Sequence, residues 1–173
     1  MDNLKQNIVM KTKIFMGGLL AAILILSIAC GQQKEKAAVA IPPINADQIK
    51  LEIQAIENNF ANAFNTRNAD SLTYYADDAT SFFNDQLPLV GKATIHKYIM
   101  GELARFPKGG KISFETKEVH ISSDGNQVVE VGKFLMVDSL NVKINNGNYI
   151  SLFQKRNDKY LCIRDMSSDE PLE

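Results

Sequence analysis

Chemistry in this chain must come from a few scattered side chains. Asp77 and Asp78 are adjacent carboxylates, and two acids held close can share a proton. Neighbours in sequence point apart, however, and this pair falls at an expected helix-to-strand corner, where both would face water. Asp165 is the sharper candidate. It alternates with Leu161 and Ile163, so it is expected on their buried face, where a carboxylate must be paired or must meet a ligand. His96 follows Ile95 on a helix flank, and His120 is out of phase with Val119 and Ile121. Both are expected at the surface, with no second ligand at metal-site spacing, so neither a metal nor a cofactor is expected. Cys162 sits in an alternating apolar stretch without a neighbouring His and reads as a small buried hydrophobe rather than a nucleophile.

The N-terminal segment carries a different kind of chemistry. Lys11 and Lys13 precede a mostly apolar run from Ile14 to Ala29, followed by Cys30 and then polar Gly31 to Lys34. A basic stretch, an apolar stretch and a small residue before a break make a secretory signal, which Met10 could start as well as Met1. Leu26-Ser27-Ile28-Ala29-Cys30 resembles a bacterial lipobox, with Ser27 where the pattern has Leu. That resemblance implies a lipid on Cys30 and a membrane as partner. An uncleaved anchor is the alternative, against which the run is shorter than the roughly 20 apolar residues a spanning helix needs. The expected organisation is a signal peptide over 1–29, a lipidated cysteine and tether over 30–44, a domain over 45–168 and a tail over 169–173. Pro42 and Pro43 would stiffen the tether. The chain is thus expected to be exported and lipid-anchored in the cell envelope. Net charge is −1, and the first 29 residues contribute Lys5, Lys11, Lys13 and Asp2, leaving the rest acidic. A domain of that sign lacks the positive footprint for nucleic acid.

The elements that position these residues read as helices first and strands afterwards. Asn45 and Asp47 are capping residues, and Ile49, Ile53, Ile56, Phe60, Ala63 and Phe64 form one apolar stripe. Glu52, Glu57, Asn58 and Arg67 are expected to face water. A second short helix is expected after Asp70 or Ser71, with Leu72, Tyr75 and Ala76 inward, then a brief strand from Ala79 to Phe83. Gly91 precedes a third helix with Ile95, Ile99, Leu103 and Phe106 inward, closed by Pro107 to Gly110. Lys111 to Ser122 changes parity, which predicts a bulge near Lys117. Asp124-Gly125-Asn126 is a hairpin turn into Gln127 to Val137, apolar on both parities and so expected to be covered on both faces. Asn145 to Gly147 and Asn157-Asp158 are expected turns on either side of Tyr149 to Arg156, with Tyr160 to Ser168 last. Such an order gives an α+β fold with helices on one face of an antiparallel sheet.

Ile56 to Asn65, Asn68-Ala69-Asp70-Ser71-Leu72, Tyr75 to Ala79, Val90 to Ile95 and the final Lys159 to Ser168 resemble the nuclear-transport-factor-2-like superfamily. The nearest groups are SnoaL-like and domain-of-unknown-function 4440. The resemblance implies a cone of three N-terminal helices on a strongly curved, mostly antiparallel sheet, with a mostly apolar pocket and a homodimer through the sheet. Pocket candidates are Phe60, Phe64, Phe83, Tyr98, Phe114 and Asp165. Ketosteroid isomerase, a relative within the superfamily, needs a carboxylate base and an oxyanion hole of Tyr plus a protonated acid. The matching positions here hold Phe83, Phe60 and the acid-free Ile150 to Phe153, with Asp85 reachable only by a shift of register. No catalytic residue is therefore assigned, and the hollow is expected to lack a proton-shuttling set. The leading expectation is a tethered domain that binds a small apolar ligand, or an envelope partner, without catalysis. Its alternatives are an enzyme using a non-standard acid–base residue such as Asp165, and a structural homodimerisation module.

Overall fold

The computed structural model describes residues 44–84 and 86–171. The expected signal segment, Cys30, most of the tether, and Asp85 lie outside the described residues. Helix α1 spans Ala46–Asn65. Asn45 Oδ1 accepts from Gln48 N at 3.0 Å, satisfying one of the free N–H groups of the first turn. Ile53, Ala61, Ala63 and Phe64 are buried along one stripe. Glu57 is a correction. It is 2% exposed, because it lies one turn after Ile53 and one turn before Ala61, inside the stripe rather than beside it.

The expected second helix is a single 3-10 turn, Ala69–Ser71. The chain then extends into β1, Tyr75–Phe82. Thr73, Tyr74 and Tyr75 favour extended backbone, and Cys162 N donates to Tyr74 O at 2.9 Å, drawing the segment into the sheet. Two α-helices, not three, are therefore present among the described residues. Asp77 and Asp78 are exposed but stand within β1, not at a helix corner. After the short β2, Leu89–Val90, Gly91 at φ 85° leads into α2, Lys92–Arg105, which buries Ile95, Ile99 and Leu103. Its last turn is closed from α1's end: the Arg67 guanidinium donates to Leu103 O, Phe106 O and Pro107 O at 2.7, 2.9 and 3.2 Å. Arg67 thus serves a helix terminus besides facing water.

Four long strands follow: β3 Lys111–Ile121, β4 Gln127–Val137, β5 Lys143–Arg156 and β6 Lys159–Asp169. The curved sheet has the order β2-β1-β6-β5-β4-β3, antiparallel except where β1 runs parallel to β6. The bulge expected near Lys117 is present between Thr116 and Glu118. Three expectations are corrected. On β4 only one face is fully buried, through Val128, Glu130, Gly132 and Phe134, while Leu135 is 41% exposed. Asn145 to Gly147 lie inside β5. The turn comes earlier, where Asp138 Oδ1 accepts from Leu140 N and Val142 N at 2.8 and 2.9 Å. Gly147 is needed not for a turn but because a Cβ there would stand 2.2 Å from Ser168 O. On β6, register shifts at Ile163: Phe153 pairs with Cys162, but Leu152 pairs with Arg164. This bulge moves Asp165 onto the inner face of Tyr160 and Cys162, away from Leu161 and Ile163, whose face it was expected to share.

Ile53, Ala79, Ile95, Val128, Phe153 and Cys162 are all fully buried. They join both helices to the inner face of the sheet and fix the frame of the site.

Candidate functional site

Between α1, α2 and the inner face of the sheet lies a hollow of about 440 Å³. Phe60, Phe64, Phe83, Tyr98, Phe114 and Asp165 all line it. Helix α1 supplies Phe60 and Phe64 a turn apart, α2 supplies Tyr98, and β3 supplies Phe114. Phe83 stacks on Tyr98 with ring centroids 4.6 Å apart. The aromatic residues of the sequence divide here: Phe153 belongs to the core beneath, and Phe82 is 42% exposed.

Polar groups enter this wall in a form that was not expected. Tyr74 Oη donates to Glu57 Oε1 at 2.6 Å and meets Ser151 Oγ at 3.1 Å. Tyr75 Oη donates to Asp165 Oδ2 at 2.9 Å. Behind the wall, Glu130 Oε1 accepts from Thr116 Oγ1 at 2.6 Å and from Tyr149 Oη at 2.9 Å. The expected absence of proton-carrying groups is thus corrected: three carboxyl–phenol pairs converge here, and Glu57, Tyr74, Tyr75, Tyr149 and Asp165 reach the hollow itself. They come from positions other than those of the isomerase. Phe83 and Phe60 line the hollow as hydrocarbon, Ile150 to Phe153 contributes Ser151, and Asp85 lies outside the described residues.

Burial pushes Glu57 well above the usual carboxyl range, and the charge of Glu130 adds to the shift, against the Tyr74 hydroxyl that lowers it. Glu130 is raised by burial and held down by Thr116 and Tyr149. The two carboxyls are close enough for each to shift the other, and neighbouring acids in a dry site resist ionising together. Burial thus favours the protonated form at this pair, most strongly at Glu57. Glu130 Oε2 is buried without a hydrogen-bond partner among the described residues.

Asp165 is raised by burial, opposed by the Ser81 and Tyr75 hydroxyls. Ser81 stands directly across from it on β1. Ser81 Oγ and Asp165 Oδ1 are both buried, and neither has a hydrogen-bond partner among the described residues. Tyr74 and Tyr75 are raised chiefly by burial, then by Glu57 and Asp165 respectively, so both phenols stay neutral donors.

Elsewhere, Asp78 receives a bidentate Arg156 guanidinium at 2.6 and 3.0 Å, which lowers its pKa. His96 Nε2 is 3.2 Å from Ala69 O, and His120 is exposed. Among the described residues no group of three His, Cys, Asp or Glu side chains is placed to hold a metal ion. Cys162 is buried, and burial raises its thiol well above the ordinary value.

No protein-family model matches the chain, and no curated protein is significantly similar to it. Solved structures are similar in fold. A protein of unknown function with a cystatin-like fold from Nostoc punctiforme is 15% identical at a TM-score of 0.61, covering 70% of this chain and 91% of that one. A nuclear-transport-factor-2-like protein of unknown function from Shewanella oneidensis is 18% identical at 0.59, covering 70% and 99%. A ketosteroid isomerase-like protein from Erwinia carotovora is 15% identical at 0.57, covering 73% and 99%. At these identities the fold is what is shared: the domain has the cystatin-like, nuclear-transport-factor-2-like fold.

Proposed function

We propose that this chain is a lipid-anchored envelope protein of the SnoaL-like, domain-of-unknown-function 4440 kind, whose hollow binds a small, mostly apolar molecule. One observation carries the binding reading. A cavity of about 440 Å³, within the ordinary range of ligand sites, is walled by aromatic rings and holds an unpartnered carboxylate oxygen, Asp165 Oδ1. A buried polar atom without a partner costs about 1–3 kcal/mol, a cost that a ligand group meeting Asp165 would offset. The lipobox-like Leu26 to Cys30 and the prolines of the tether support anchoring through Cys30. The acidic balance speaks against nucleic acid. A homodimer would use the sheet row Val131, Ile150 and Met166, cross-strand neighbours of which Ile150 is 45% and Met166 54% exposed.

A second reading is favoured by the phenol–carboxyl pairs: Asp165, with Tyr75 donating to it, acts as the base of an acid–base enzyme. Asp165→Asn separates the two, since an enzyme loses turnover while a binder changes only in affinity. The reading as a whole is tested by native mass spectrometry of the gently purified full chain. A co-purifying small molecule and a diacylglyceryl group on Cys30 are expected; a bare Cys30 thiol refutes the anchor, and a chain always free of ligand refutes the binding role.

A further inference from the structure

The charges around the hollow narrow its ligand's class. Acidic side chains reach the wall from α1 (Glu57), α2 (Glu102) and β6 (Asp165 and Asp169), whereas no Lys, Arg or His among the described residues lines it. Cations near the rim are engaged: Arg105 with Glu102, and Lys133 with Glu170 at 3.5 Å. Glu57 is occupied by the Tyr74 hydroxyl, and burial favours its uncharged form. Asp165 forms no ion pair with any described residue.

The remaining wall is largely aromatic, with rings set at steep angles to one another. Phe60 meets Tyr74 at 74° and Phe114 at 87°, with centroids 5.0 and 5.5 Å apart. Phe114 in turn meets Tyr149 at 87° and 5.6 Å. Ring faces carry the negative lobe of the aromatic quadrupole and attract a cation within about 6 Å. An anion would meet no cation in this wall among the described residues, and buried charge without a partner is expensive. A wholly apolar guest would leave Asp165 uncompensated.

We infer, on the reading that the hollow is a ligand site, that its ligand is an organic ammonium ion: a protonated or quaternary amine on an apolar body. Its charge rests against Asp165 and the ring faces, and its body against Phe64, Ile99 and Phe106. The full chain in detergent is titrated, by saturation-transfer NMR, with choline and with the neutral dimethylbutanol in which carbon replaces nitrogen. Choline is expected to bind about tenfold more tightly. Asp165→Asn removes most of that preference, and Phe60→Leu weakens choline several-fold more than it weakens the neutral isostere. Should Asp165→Asn fail to fold, Phe60→Leu alone carries the comparison. Equal binding of the two probes overturns the ammonium inference but leaves the ligand chamber standing. Failure of a folded chain to bind either probe overturns both.

Discussion

Replacing Glu57 with Gln tests directly whether burial holds this carboxyl protonated. The Gln amide keeps the shape of a protonated Glu57, and its oxygen can accept from Tyr74 as the carboxyl does. Folding raises the pKa of Glu57 above its ordinary value of 4.5, so the folded state holds the proton more tightly than the unfolded chain. The sign follows: the stability Glu57 confers is fully present below about pH 4.5 and is lost as pH rises through the folded pKa. The slope is about 1.4 kcal/mol per pH unit for one proton. Between pH 5 and 7 the wild-type chain therefore loses up to about 3 kcal/mol that Glu57→Gln does not lose. Urea denaturation at pH 5, 6 and 7, followed by circular dichroism, measures this difference. Glu57→Gln should match the wild type near pH 5 and exceed it increasingly towards pH 7. Parallel profiles for the two chains, or a variant that falls further behind as pH rises, would refute the raised pKa of Glu57. Glu57→Ala should instead cost about 1–3 kcal/mol, because it takes the carboxyl acceptor from the buried Tyr74 Oη and leaves it Ser151 Oγ alone.

Further expectations concern the frame of the site. A Cβ on Gly132 would lie 2.2 Å from Tyr149 Cζ, so Gly132→Ala must push the phenol off Glu130 and should cost about 2–4 kcal/mol in chemical denaturation. Arg67→Ala removes three hydrogen bonds from the end of α2 and should lower stability by about 1–3 kcal/mol, with faster amide exchange around Phe106. Phe153→Ala empties a fully buried site and should cost about 3–5 kcal/mol. In a Cys30→Ser chain, Cys162 should react with a thiol reagent only on unfolding; prompt reaction of the native chain would contradict its burial.

How much of this could be read in advance depends on how local each signal is. The cap at Asn45, the stripe through Ile53 and Phe64, the bulge at Lys117 and the turns at Asp124 and Asn157 are set by adjacent residues, and sequence spacing shows them. Tyr75 is different: alone it fits a short helix, and only a parallel partner on β6 makes it a strand. The aromatic wall was legible because Phe60, Phe64 and Phe114 follow helical and strand periods. Glu57 was legible in principle, since it falls within the stripe at Ile53 plus four, but hydrophobicity counting treats a carboxylate there as an outward residue. Glu130 hid in the same way between Val128 and Gly132. A buried acid is tolerated only if a donor waits across the fold, and Tyr74, Thr116 and Tyr149 are too distant in sequence for spacing to reveal. Asp165 was placed on the inner face for the wrong reason, because the bulge at Ile163 reverses the alternation on which that placement rested.

The most direct test of the binding claim is to block the hollow and ask what leaves the protein. Ser167 lines the cavity and is half-buried, so Ser167→Trp would place an indole in it. Wild-type and blocked chains, purified alike and shown by circular dichroism to be folded, are compared by native mass spectrometry. A small-molecule adduct on the wild type that is missing from Ser167→Trp is the predicted result. An adduct of equal abundance on both, or on neither, contradicts it.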